Sequence, residues 1–366
     1  MQGTAGQRRT LGQVGAGREN NLNLLRLVAA VLVIVCHAFP LTLGSAFGDP
    51  LSTWTDGRLS LGGLAVGVFL LMGGYLITAS ALRRPQLGSY AAARASRIFP
   101  ELALCVACCA WVLGPLLTTL PLGAYFANAQ TWAYLLNAAL WPHHALPGVF
   151  EGVPYPNVVN GALWVLPVQA VCYALAWVAV RLGFAQRSRG PWVAAALVAS
   201  GLACGLLLGS NSFLLAVARP VLLFGIGALA YVYRDDLVMD GRLAAACGAA
   251  WVVLVALRWD LAAMLLAFPY PFFYLAFATR RTLLAHPRLG ENSYGMFLWG
   301  WPMEQLLVQA LGITPQSAAP TAWGLPAWIV VALGACVLAY LLGWASRMSC
   351  STLLDAWRAR KARPSA

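Results

Sequence analysis

Apolar residues run in uninterrupted blocks of a length able to cross a bilayer, about twenty residues each, along most of the chain. Polar clusters separate the blocks. The blocks fall at about 22–43, 61–81, 98–118, 163–182, 192–209, 213–233, 243–258, 260–279, 290–311 and 324–345, the seventh being short. The stretch Tyr125–Leu140 is apolar but broken by Asn128, Gln130 and Asn137, which suits a helix lying in the interface rather than crossing it. The pattern predicts an all-α, polytopic helical bundle of about ten spans.

Composition sharpens this. Hydrophobic residues make up 60% of the chain and charged ones 10%, with a mean hydropathy of +0.71. Ordinary soluble domains hold roughly 45–50% and 25%. So few charges could not cover the surface of a soluble protein of this size, and soluble and disordered readings are excluded. The net charge of +12 does not point to nucleic acid. Of the 24 basic residues, all but Arg58, Arg219 and Arg258 fall on one side when the spans alternate, which predicts that both termini are cytoplasmic. Residues 1–19 read as a flexible Gly/Gln/Arg-rich arm without the layout of a cleavable signal peptide. Residues 20–345 read as one membrane domain and 346–366 as a basic cytoplasmic tail. The nine cysteines lie mostly in apolar blocks and read as small buried residues. Cys105-x-x-Cys108 has no second ligand pair nearby, so no metal site is expected.

Ionisable groups inside spans are costly and mark function. Arg26 and His37 lie eleven residues apart in the first span. At 100° per residue they share one helix face, about 16 Å apart along the axis. Arg26 also suits a snorkelling anchor, and His37 a hydrogen bond between helices. Glu304, in the ninth span, matches the depth of His37, and Gln169 in the fourth span falls in the same half. Glu101, near Arg94 and Arg97, suits a local ion pair. The loop at about 119–162 has no Lys or Arg and carries several aromatics with Asn157 and Asn160. That chemistry suits a sugar surface and a membrane interface equally. His143 and His144, in the same loop, are assigned no chemistry.

Five motifs occur in order. They are Leu25-Arg26-Leu27 with Cys36-His37-Ala38; Ser60-Leu61-Gly62-Gly63 through Phe69 to Gly73-Gly74-Tyr75; Arg94-Ala95-Ser96-Arg97; Leu163-Trp164-Val165-Leu166 with Gln169 and Tyr173; and Ser293-Tyr294-Gly295 with Leu298-Trp299 and Pro302. Together they resemble the membrane acyltransferase-3 family over residues 20 to 345. The resemblance implies an integral-membrane O-acyltransferase, most often an O-acetyltransferase, of the inner (plasma) membrane. Such proteins move an acyl group from cytoplasmic acyl-CoA to a hydroxyl of an exopolysaccharide, O-antigen or other envelope glycan. Acetyl-CoA would be a co-substrate, with no permanently bound cofactor. The partners implied are membrane lipid, the acyl-CoA donor and a glycan or lipid-linked sugar. On this likeness Arg26, Arg94 and Arg97 hold the donor; His37, with Glu304 and Gln169, carries the chemistry; and Tyr75, Trp164, Tyr173, Ser293 and Tyr294 position substrate.

Some family positions are altered. The second-span acid is Gly67, the fourth-span glutamate is Gln169, and the place where the late motif often ends in histidine is Gly300. Glutamine cannot act as a general base. Glu304 then supplies the carboxylate, or His37 acts without one. The alternative is a weakened relative that serves as a carrier or translocation subunit for lipid-linked sugar.

Overall fold

The computed structural model describes residues 9–17, 20–209, 212–279, 290–315 and 325–361, with side chains described as far as Thr352. Among the basic residues used for orientation, Arg8, Arg18, Arg280, Arg281, Arg288 and Arg363 lie outside the described residues, as do the side chains of Arg358, Arg360 and Lys361.

The described residues are helical and contain no β-strand; a single isolated bridge joins Thr10 and Val238. The helices used below are α1 (Leu11–Gly15), α2 (Leu22–Leu43), α3 (Leu61–Arg83), α4 (Leu87–Cys108), α5 (Val165–Arg181), α6 (Gly190–Leu207), α7 (Phe213–Val232), α8 (Gly241–Ala256), α9 (Ser293–Ala310) and α10 (Ala327–Lys361). Among the described residues, seven helices are long and apolar enough to cross a membrane, and a pair bent by 41°, Asp260–Ala267 and Pro269–Ala278, makes an eighth if it is one span. The protein is a multi-pass membrane protein. The two remaining blocks of the sequence reading form α8, an apolar helix of 16 residues, and α9, which carries Glu304, Gln305 and Gln309.

Three boundaries differ from the sequence reading. The helix expected at 98–118 starts at Leu87, so Arg94 and Arg97 lie inside it rather than ahead of it. Nothing between Leu87 and Arg97 breaks a helix, and the loop signal is spent on Arg84-Pro85-Gln86. Second, α10 runs on past residue 345 to Lys361, so the tail is a continuation of the last helix. Third, the arm is folded over residues 9–17. Thr10 and Gln13 form a reciprocal capping box on α1, and Leu11 is fully buried. Backbone bonds from Leu11 to Leu237 and from Met239 to Arg9, at 2.7 and 2.9 Å, fasten it. The interfacial stretch is three short helical turns, Leu122–Ala127, Ala129–Ala133 and Tyr134–Ala139, split where Asn128 turns its side chain to cap the second.

The chain divides into two compact units: residues 1–29, 50–90 and 168–290 form one, and residues 30–49, 91–167 and 291–366 the other. In membranes, helices associate best where small residues let backbones approach, and each unit has such a crossing. In the first unit a Cβ on Gly74 of α3 would lie 1.9 Å from the Phe224 carbonyl oxygen of α7, and one on Gly227 of α7 would lie 2.0 Å from that of Leu71. In the second unit Gly295 of α9 meets Gly343 of α10, where an added Cβ would lie 2.5 Å from the facing Cα. Polar side chains reinforce this crossing. Asn292 donates to the Tyr340 carbonyl at 2.6 Å and Trp299 Nε1 to Ser346 Oγ at 2.9 Å.

Candidate active site

The second unit contains a buried acid–base pair. His37 Nδ1 stands 3.5 Å from Glu304 Oε2; the histidine side chain is 18% exposed and the glutamate not at all. The pairing follows from one close helix contact. Gly300 of α9 packs on Ile34 of α2 so tightly that a Cβ would lie 3.0 Å from Ile34 Cγ1. His37 is one turn beyond Ile34 and Glu304 one turn beyond Gly300, so both point along the faces that this contact joins. A side chain at position 300 would press on Ile34, which would have to give way. At 3.5 Å the pair is longer than a hydrogen bond, as catalytic pairs often are before substrate binds. Neither Glu304 oxygen nor His37 Nδ1 has another hydrogen-bond partner among the described residues.

A third side chain frames the pair. The Trp301 ring meets His37 edge-on at 4.7 Å between centroids. The loop at 150–161 lies against the same part of α9. Trp301 Nε1 donates to the Val158 carbonyl at 3.2 Å, Gln305 Nε2 donates to the carbonyls of Tyr155 and Val158 at 2.8 and 2.9 Å, and Tyr155 packs on Trp301. Pro302 lacks an N–H, so the Leu298 carbonyl one turn back loses its helical partner. Asn160 Nδ2 takes that place at 2.9 Å, with Cys105 Sγ also in reach at 3.5 Å. Leaving that carbonyl bare would cost about 1–3 kcal/mol.

Two of the loop amides, Asn137 and Asn160, are inward structural groups. Asn160 is fully buried, and Asn137 donates to the Tyr134 and His143 carbonyls while accepting from His143 N–H. Asn157 adopts a left-handed backbone, φ 61°, which asparagine tolerates. Asn137 and Asn160 are thus engaged with backbone groups, while Asn157 is exposed.

The other predicted residues are distributed between the units. Arg94 and Arg97, three residues apart in α4, belong to the second unit, the first half-buried and the second exposed. Tyr294 ties α9 to the same part of α4 through a 2.9 Å bond to the Ile98 carbonyl, and Ser293 is buried beside it. From Tyr294 to Glu304 is ten residues of helix, or about 15 Å along the axis. Trp164 is half-buried in the short turn that precedes α5. Arg26, Gln169, Tyr173 and Tyr75 belong to the first unit. Arg26 is half-buried in α2. The Gln169 amide donates to the Tyr173 hydroxyl at 2.8 Å, and Tyr90 donates to the Tyr173 carbonyl. Tyr75 packs among Tyr231, Phe273 and Phe277 at 5.2 to 5.5 Å, with Gly15 of α1 against its hydroxyl. Tyr75 is 7% exposed. Gly67, where the family has an acid, faces Leu223 and Met264 at 3.0 and 3.2 Å from an added Cβ. A carboxylate there would enter apolar packing.

Nothing in the sequence reading singled out Trp301, Gln305 or Asn160 as supports of the pair. The one available signal was Pro302, whose missing donor demands a partner for the carbonyl four residues back.

The chain matches the acyltransferase domain of the acyltransferase-3 family over residues 19–345. The chain belongs to this family. It is 31% identical to an O-acetyl transferase of Shigella phage Sf6 over 163 residues, 44% of this chain and 46% of the relative, so the match spans about half of the phage protein's length. It is 29% identical to nodulation protein 10 of Rhizobium leguminosarum bv. viciae over 370 aligned positions, covering 90% of this chain and 92% of that one. No solved structure matches the chain. Membership makes this acyltransferase-3 protein an acyltransferase embedded in a membrane. Within it, the retained histidine of the first span has a carboxylate partner on α9.

Proposed function

We propose that this protein is an O-acyltransferase, most simply an O-acetyltransferase, that transfers the acyl group of a cytoplasmic acyl-CoA to a hydroxyl of an envelope glycan. The observation that carries this reading is the buried His37–Glu304 pair in a member of an acyltransferase family. A sugar hydroxyl is a poor nucleophile at neutral pH, so a base must take its proton as it attacks. His37 turns Nδ1 toward Glu304, which leaves Nε2 for the hydroxyl. The hydroxyl oxygen attacks the thioester carbonyl carbon, its proton passes to Nε2, and the resulting imidazolium is stabilised by Glu304. The new C–O bond forms as the C–S bond breaks, and the leaving thiolate takes the proton back from His37. In this reading Glu304 supplies the carboxylate that Gly67 and Gln169 do not.

The donor reaches the pair from the end marked by Arg94 and Arg97. Their guanidinium groups suit the phosphates of coenzyme A. The thioester, at the tip of a long flexible arm, then crosses the roughly 15 Å between the two levels of α9. Single Arg94→Gln and Arg97→Gln variants should insert normally and bind acyl-CoA about tenfold more weakly or worse, measured by titration of the purified protein. Unaltered donor affinity in both would return these arginines to a role as membrane anchors.

This assignment has both termini in the cytoplasm and the 119–162 loop outside the inner membrane. Gly152 has open space around it, so cysteine is tolerated there. A Gly152→Cys protein with its other cysteines unreactive should be labelled by an impermeant maleimide in intact cells. Labelling only after the membrane is opened would reverse the sidedness. The function itself is tested by mass spectrometry of envelope glycans from cells with and without the gene. An acyl substitution present only with the gene is the expected result, and identical glycans would defeat the proposal.

A further inference from the structure

Three basic residues, Arg58, Arg219 and Arg258, stand apart from all the others in the charge pattern, on the face where basic residues are disfavoured. In the first unit all three line one cavity of about 810 Å³. Asp260 completes the polar end. Arg58 Nε donates to Asp260 Oδ2 at 2.5 Å, and Asp56 pairs with Arg258 and, at 3.5 Å, with Arg58. Three guanidinium groups against two carboxylates leave one positive charge. Arg219 is only 7% exposed; Asp260 acts on it electrostatically, but its Nε has no hydrogen-bond acceptor among the described residues. Asp260, 4% exposed, likewise has Oδ1 without a donor. A buried charge so placed is costly unless something else completes it.

The rest of the cavity is apolar. Leu197, Leu202 and Leu206 of α6 and Leu222 of α7 wall it, with Leu265 opposite. Leu202 and Leu206 are themselves well exposed, so the groove opens along the outer flank of α6. A ligand that matched this cavity would bring one negative charge with acceptor oxygens for Arg219, a hydrogen-bond donor for Asp260, and a hydrocarbon chain for the groove. A zwitterionic lipid would leave the excess charge in place, and a headgroup without hydroxyls would leave Asp260 unmet.

We infer that this cavity is a binding site for one anionic phospholipid with a hydroxyl-bearing headgroup, phosphatidylglycerol being the matching chemistry. Its phosphodiester faces Arg219, with Arg258 beside it. A headgroup hydroxyl donates to Asp260, and an acyl chain lies between α6 and α7. The site is separate from the acyl-transfer chemistry, and its test needs no turnover.

The test is native mass spectrometry of the full-length protein titrated with phosphatidylglycerol, phosphatidylethanolamine or phosphatidylcholine in detergent. One phosphatidylglycerol per chain should be retained, at least tenfold more tightly than either other lipid. Arg219→Gln should abolish that preference. Since Arg219 is buried and its variant could fail to fold, two further variants carry the test. Arg258→Gln removes an exposed guanidinium and should weaken phosphatidylglycerol severalfold. Gly205→Leu, whose added Cβ would meet Leu261 at an ordinary 3.5 Å, should fill the groove and lower the affinity for every lipid. Equal retention of the three lipids, tighter phosphatidylethanolamine, or full phosphatidylglycerol binding by both Arg258→Gln and Gly205→Leu would each overturn the inference.

Discussion

His37→Ala is expected to lower acyl transfer by about 10²–10⁴-fold, the usual contribution of a positioned general base, while leaving a folded, membrane-inserted protein. The side chain is only partly buried and makes no hydrogen bond that the fold depends on among the described residues. Glu304→Gln, which keeps shape and burial but removes the ionisable carboxyl, should fall by a comparable factor, because an amide cannot become the carboxylate that stabilises the imidazolium. The two losses should not add in the double variant, since both groups serve one proton transfer. Gln169→Ala should cost far less, because Gln169 is engaged with the Tyr173 hydroxyl in the first unit. The measurement is single-turnover transfer from radiolabelled acyl-CoA to acceptor glycan, with chromatographic homogeneity as the control for folding. A His37→Ala protein that turns over normally would remove the mechanism. A silent Gln169→Ala beside an active Glu304→Gln would transfer the partner's role to glutamine.

Gly74→Val should prevent accumulation of folded protein. Its first added carbon would lie 1.9 Å from a backbone oxygen of α7, so the neighbour cannot yield by rotating a side chain. Overpacking of ordinary cores costs about 1–3 kcal/mol, and a backbone collision exceeds that range. The same substitution at Gly227 should behave alike, because Gly227 meets α3 reciprocally. Gly123→Ala, with no atom within 4 Å of the new carbon, is the control and should be neutral or slightly stabilising. Yield and thermal stability in detergent decide the matter. A Gly74→Val protein as stable as the Gly123→Ala control would mean that α3 and α7 do not cross where the structure places them.

These two expectations rest on different kinds of information. His37 was visible as a rare ionisable group in an apolar block, and its depth matched that of Glu304 because both blocks begin on the same side. Gly74 was visible only as a motif residue. That it meets a carbonyl of a helix far along the chain was not. The distributed site residues tell the same story. Gln169 and Glu304 fall in the same half of the membrane by sequence, yet depth does not fix which helix face a residue occupies or which helix lies opposite. The arm's glycines and arginines predict flexibility, and the Thr10–Gln13 capping box starts a helix of only five residues, too short to show as an apolar periodicity. Tyr75 carried the right motif position and landed in an aromatic core.

What the sequence determined by itself was local and repetitive: apolar blocks matched to the bilayer, polar interruptions between them, and motifs dense enough to indicate the family. The bilayer imposes those features one segment at a time, so they survive without knowledge of neighbours. The tertiary structure alone decided the partners. Gly300 against Ile34 sets the faces that join His37 to Glu304, Pro302 requires Asn160, and the division into two units separates Gln169 from the pair's own unit. These outcomes depend on which helices approach closely enough to exclude a side chain, a property of two segments together that neither segment's sequence contains.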